Sequence, residues 1–115
     1  MKKSKINKNF IYLISPNKVK NNYFYIEIEK MFKTKKISFF QLRLKNHSLK
    51  DKMIIGKKIL KICKKYKVKF IVNDDPFLAK KVMADGCHLG QKDMDYREAR
   101  KILGKKIIGV TCNNS

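Results

Sequence analysis

The chain predicts an α/β fold on a parallel sheet, either closed as a barrel or open and doubly wound. Two observations lead there. Five short apolar runs alternate with amphipathic stretches of helical period. Cap residues stand where several of those stretches begin. No linker, internal repeat or low-complexity tract divides the 115 residues, so they suit one small domain, 1–115, with a loose basic start over 1–9.

The elements follow in order. FIYLIS (10–15) reads as a short buried strand. Residues 20–34 form a weak helix candidate, with Phe24, Ile28, Met31 and Phe32 at helical spacing but few strong helix formers. ISFFQLRLK (37–45) reads as a strand. Ser48 opens a helix, with Asp51 three residues on in the manner of a capping box. Its stripe is Ile55, Ile59, Ile62, Cys63 and Tyr66, and lysines fill the outside. KFIV (69–72) is a strand. Asp75-Pro76 is a cap followed by proline at the first helical position, so a short helix runs to about Met83. CHL (87–89) is a brief strand. Asp95, with Glu98, caps a helix that Gly104 ends. KIIGVT (106–111) is the last strand. The order is β-α-β-α-β-α-β-α-β.

Composition narrows the function classes. No stretch approaches the ~18 apolar residues of a membrane span. IYLIS is too short for a signal-peptide core and is followed by Pro16, so a cytoplasmic protein is expected. Cys63, Cys87 and Cys112 lack zinc or redox spacing and read as idle thiols in a reducing compartment. The net charge of +20 raises nucleic-acid binding. Yet the excess is nearly all lysine, spread along the whole chain, with only Arg43, Arg97 and Arg100 as arginines. Readers of nucleic acid favour arginine and interleaved aromatics, so a solvated lysine coat fits better. Of nine acidic residues, six fall between positions 74 and 98, which asks for a local cause.

In parallel α/β folds, chemistry gathers at the C-terminal ends of the strands. The second strand delivers Gln41, Arg43 and Lys45 on one face, because strand side chains alternate. The third delivers Asn73 and Asp74. The fourth delivers His88, followed by Gln91 and Asp93, and the fifth Thr111. Arginine offers phosphate a planar fork and lysine a point charge. Asp74 and Asp93 suit a hard cation such as magnesium, which takes one or two carboxylates plus water and phosphate oxygens. Together these describe a magnesium-diphosphate site. Asp75 and Asp95 read as caps, and Asp85 as a turn residue. His88 reads equally as a satisfied core histidine or a functional one. No G-x-G-x-x-G follows the first strand, which weighs against a dinucleotide fold.

FFQLRLK, FIVNDDPFLA, ADGCHLGQKDM and IIGVT resemble the thiamine-phosphate synthase family, in the same order and with similar spacing, from about Phe10 to Thr111. The resemblance implies a TIM (β/α)₈ barrel, here incomplete after the fifth strand. It also implies a transferase of thiamine biosynthesis. That enzyme condenses an aminopyrimidine diphosphate with a thiazole phosphate, giving thiamine phosphate and pyrophosphate. By position, Gln41, Leu42, Arg43, Leu44 and Lys45 would hold the pyrimidine diphosphate, with Arg43 and Lys45 as the catalytic cations. Asn73 would contact the same substrate, and Asp74 and Asp93 would bind Mg²⁺. Thr111, where the family usually has serine, would reach the diphosphate, and His88 would play a lesser part in the same mouth. Asn113 stands where the family often has histidine. A full barrel needs ~200–250 residues. The 115 residues lack the phosphate loops after strands seven and eight and the family's later lysine. The expectation is an N-terminal portion that does not turn over alone and needs a C-terminal half or self-association. Two alternatives stand beside it: a thiazole tautomerase of the same fold, which needs no metal-diphosphate set, and a small basic nucleic-acid-binding protein.

Overall fold

The computed structural model describes residues 2–7, 10–90 and 95–110, the side chains of 2–7 and 10 excepted. Six strands and four helices lie along them, alternating from β2 onward: β1 (Lys2–Asn7), β2 (Phe10–Ile14), α1 (Tyr23–Thr34), β3 (Phe39–Leu42), α2 (Leu49–Tyr66), β4 (Lys69–Asn73), α3 (Pro76–Lys81), β5 (Gly86–Leu89), α4 (Tyr96–Leu103) and β6 (Ile107–Val110). They form one sheet in the order β1-β2-β3-β4-β5-β6. From β2 to β6 every pairing is parallel. β1 is antiparallel to β2.

Two features decide between barrel and doubly wound sheet. The strand order never reverses, so there is no switch point. All four helices also cover the same face. Phe24, Ile28 and Phe32 of α1, Ile55, Ile59 and Cys63 of α2, Leu78 and Ala79 of α3, and Ala99 and Leu103 of α4 share one core. That core includes Leu13, Phe40, Leu42, Phe70, Val72, Cys87 and Leu89 from the sheet. A doubly wound sheet would divide its helices between two faces. This is the singly wound strand-helix repeat of a TIM barrel over five parallel strands.

Period-two alternation then sends the other strand residues to the concave face. The registers Ile14↔Gln41, Gln41↔Ile71, Ile71↔Gly86 and Gly86↔Ile107 make one layer across five strands. Asn73↔His88 and His88↔Gly109 make the next layer, toward the C-terminal ends. Leu42↔Val72 is the last β3–β4 pair, so continuing that register sets Arg43 level with Asn73.

The caps form as their residue types dictate. Ser48 Oγ accepts the Asp51 amide at 3.1 Å. Asp75 Oδ1 accepts the Leu78 amide at 3.0 Å, with Pro76 in the first turn. Asp95 Oδ1 accepts the Arg97 amide at 2.7 Å, and Gly104 ends α4 at φ 61°. Where α2 ends the chain turns left-handed at Lys67, φ 57°. There the Val68 amide reaches back to the Cys63 carbonyl at 2.9 Å, while the Lys67 amide reaches the Lys64 carbonyl at 3.3 Å. Val68, 6% exposed, seats this turn in the core and holds a lysine where glycine would be easier.

Two expectations are corrected. The loose start proposed for 1–9 gives way to β1, which zips onto β2 with a register shift between Lys5 and Asn7. Lysine-rich segments carry little strand signal, but the open edge of β2 supplies hydrogen bonds that no local pattern announces. The strand predicted over 37–45 ends at Leu42, because its ladder with β4 stops there. The chain beyond it stays tied to the loop after β2 and reverses at Asn46, φ 61°. Smaller shifts affect α1, which begins at Tyr23, and α3, which ends at Lys81.

Candidate active site at the strand ends

The concave mouth starts with a row of rising exposure. Gln41, on β3, is 5% exposed and donates from Nε2 to the Tyr12 hydroxyl at 2.8 Å. Tyr12 stacks on Phe39 with ring centroids 5.6 Å apart. Burial pushes the Tyr12 hydroxyl above its usual pKa, the Gln41 bond pulling the other way. Arg43 is half-buried and Lys45 is exposed. The Arg43 amide donates to Ser15 Oγ at 2.8 Å, and the Lys45 amide to the Asn17 carbonyl at 2.8 Å. The main chain of the row is therefore pinned by the loop after β2. Its buried guanidinium nitrogen, Arg43 Nε, has no hydrogen-bond partner among the described residues. A buried charged donor left open is costly and marks a place for an acceptor.

Leu42 and Leu44 turn the other way. Leu42 is 2% exposed in the helix-side core, and Leu44 packs against that core. Toward the mouth these two can offer only main chain.

Asn73 is half-buried and closes β4. Asp74 follows it, exposed, with φ 66°, and its amide donates to the His88 carbonyl at 2.7 Å. The left-handed turn swings the chain from β4 into the α3 cap, a conformation aspartate tolerates better than most residues. Asp75 spends its carboxylate on that cap, while the neighbouring Asp74 is exposed. His88 is half-buried on β5 beside Gly109. A Cβ at Gly109 would stand 2.8 Å from His88 Nδ1, so the glycine makes room for the imidazole. Asp93 and Thr111 lie outside the described residues, as do Gln91, Cys112 and Asn113. Among the described residues no group of three or more His, Cys, Asp or Glu side chains could hold a metal ion. A diphosphate-bound magnesium needs fewer protein ligands than such a group supplies.

Asp85 and Asp95 sit as expected. Asp85 is a turn residue at the opposite end of the sheet. Its Oδ2 accepts the Phe70 amide at 2.7 Å and its carbonyl the Ile107 amide at 3.0 Å. The structure thus brings Gln41, Arg43, Lys45, Asn73, Asp74 and His88 to one end of the sheet. It adds Tyr12 and Ser15, which the strand-end inventory passes over. Ser15, the one polar residue at the end of FIYLIS, carried the available signal.

A family model described as thiamine monophosphate synthase matches residues 11–115. The chain belongs to the thiamine monophosphate synthase family. It is 66% identical, over all 115 residues, to the thiamine-phosphate synthase of Pelagibacter ubique, covering 56% of that protein. The thiamine-phosphate synthase of Fusobacterium nucleatum is 44% identical over 106 residues, 90% of this chain and 51% of the relative. Among solved structures, a thiamine phosphate pyrophosphorylase from Pyrococcus furiosus superposes with a TM-score of 0.78 at 27% identity. That match covers 89% of this chain and 48% of the other. The chain spans about half the length of these synthase-family relatives. Among the described residues no helix is long and apolar enough to cross a membrane.

Proposed function

We propose that this chain carries the diphosphate half of a thiamine-phosphate synthase site. Aminopyrimidine diphosphate would be the substrate it holds and pyrophosphate the product it releases. The observation that carries this is Arg43 Nε, buried and without a hydrogen-bond partner among the described residues, between the anchored amide of Gln41 and the exposed Lys45. A diphosphate laid along the row meets a neutral donor first, then a guanidinium, then an ammonium. Asn73 and His88 would line the wall beside it, Thr111 would add a hydroxyl, and Leu42 and Leu44 would contribute main chain.

The reaction breaks the bond between the pyrimidine methylene carbon and the diphosphate oxygen. The electron pair leaves with pyrophosphate, and the thiazole nitrogen captures the resulting cation. Arg43 and Lys45 would stabilise the charge growing on the leaving oxygens, an electrostatic contribution from groups already in place. Asp74, with Asp93, would hold magnesium, which when bound would neutralise the same oxygens as a Lewis acid. The buried cysteines Cys63 and Cys87 suit a reducing cytoplasm. Thiazole phosphate binding belongs to later strands of the barrel, from a longer chain or a second copy.

Retention of the cationic row together with Asp74 favours the synthase over a tautomerase of the same fold. Amide chemical shifts of the 115-residue chain test the assignment. Adding pyrophosphate with magnesium should move Gln41, Arg43, Lys45 and Asn73. Shifts scattered over the lysines of α2 would overturn it, leaving a cationic surface or a nucleic-acid binder.

A further inference from the structure

The loops after β2 and β3 run side by side for three contacts beyond the strands. In the first, the Arg43 amide donates to Ser15 Oγ at 2.8 Å, and in the second the Lys45 amide donates to the Asn17 carbonyl at 2.8 Å. The third reverses direction: the Val19 amide donates to Nε2 of His47 at 3.2 Å. The pairs Ser15–Arg43 and Val19–His47 are both 28 residues apart, and so is Asn17–Lys45 (45 − 17), so the spacing of the ladder is kept to its last contact. The first two contacts use groups that do not titrate near neutrality. The third does, because a backbone N–H can only donate, so Nε2 must present its lone pair.

We propose that His47 is a positioning residue for the cationic row and makes its anchorage pH-sensitive. Neutral, it closes the ladder that sets the main chain of Arg43 and Lys45. Protonated at Nε2, it has no acceptor for Val19, and the two loops part from their outer end inward. Histidine is the side chain whose charge changes between about pH 5 and 8. The groups facing it line an open cavity of 190 Å³. The titratable groups around it are Lys20 from the loop after β2, Asp51 from α2 and Tyr25 from α1.

The inference rests on reading Arg43 and Lys45 as substrate cations, but its test needs no ligand. Amide hydrogen exchange is followed on the whole chain at about pH 5 and about pH 8, each rate divided by the unstructured rate at that pH. Val19 protection should fall several-fold, up to about tenfold, from high to low pH, the size of one net hydrogen bond. Lys45 should follow with a smaller loss. In His47→Gln, Oε1 can accept at either pH, and Val19 protection should no longer depend on pH. In His47→Ala it should be low at both. Equal protection of wild-type Val19 at the two values would overturn the inference, as would a His47→Gln variant that falls as the wild type does. Either result is independent of whether pyrophosphate binds.

Discussion

At the residue scale, the floor of the mouth depends on one side-chain pair. Gln41 is nearly sealed from solvent, and its amide nitrogen is satisfied by the Tyr12 hydroxyl. Tyr12→Phe keeps the ring on Phe39 but strands that donor, so it should cost about 1–3 kcal/mol. Urea unfolding checks this: the midpoint should drop at unchanged slope. The sign with pH is also set. Burial raises the Tyr12 hydroxyl above its usual 10.0, so the folded state prefers the neutral form. Its contribution is complete below the unfolded value and is lost as pH rises through the higher folded one. The gap between wild type and Tyr12→Phe should therefore narrow above about pH 10. An unchanged midpoint in the variant would mean that Gln41 finds another acceptor. The sequence displays Gln41, Arg43 and Lys45 as a period-two row. It hides Tyr12, because an aromatic residue in an apolar run looks like core.

At the element scale, helix starts were legible because Ser48, Asp75 and Asp95 carry both the cap and its spacing. The end of β3 and the presence of β1 were not. Both are decided by which edge offers a partner, a property of the assembled sheet. Helix contact is likewise visible only in three dimensions. Gly56 of α2 faces α3, and a Cβ there would stand 2.8 Å from Val82 Cγ1. Val82 is 1% exposed and cannot yield outward. Gly56→Ala should destabilise by about 1–3 kcal/mol despite the better helix propensity of alanine. Adding Val82→Ala should recover part of that loss in a double-mutant cycle, since the two sites share one contact. Additive penalties would mean that the helices do not meet there.

At the scale of the whole molecule, a charge of +20 pushes the folded chain apart, and charge alone would bind any polyanion. Raising salt from about 0.01 to 0.15 M shortens the screening length from ~30 to ~8 Å, so thermal stability should rise. A fall would mean that attractive pairs outweigh the self-repulsion. The same charge makes bare anion binding uninformative, so specificity has to be read from the acidic rim. The family and fold were legible in ordered motifs spread over nearly the whole chain. So was the role of Asp75: its place before Pro76 predicts the cap, and its Oδ1 accepts the Leu78 amide, while Asp74 beside it is exposed in a left-handed turn that no local pattern announces. The most direct test is calorimetric titration of pyrophosphate with and without magnesium, in wild type, Asp74→Asn and Asp75→Asn. Asparagine tolerates the left-handed backbone at position 74 and still caps α3 at position 75. The prediction is magnesium-dependent binding that Asp75→Asn retains and Asp74→Asn loses. Binding indifferent to magnesium and to Asp74 would contradict it and leave only a cationic surface.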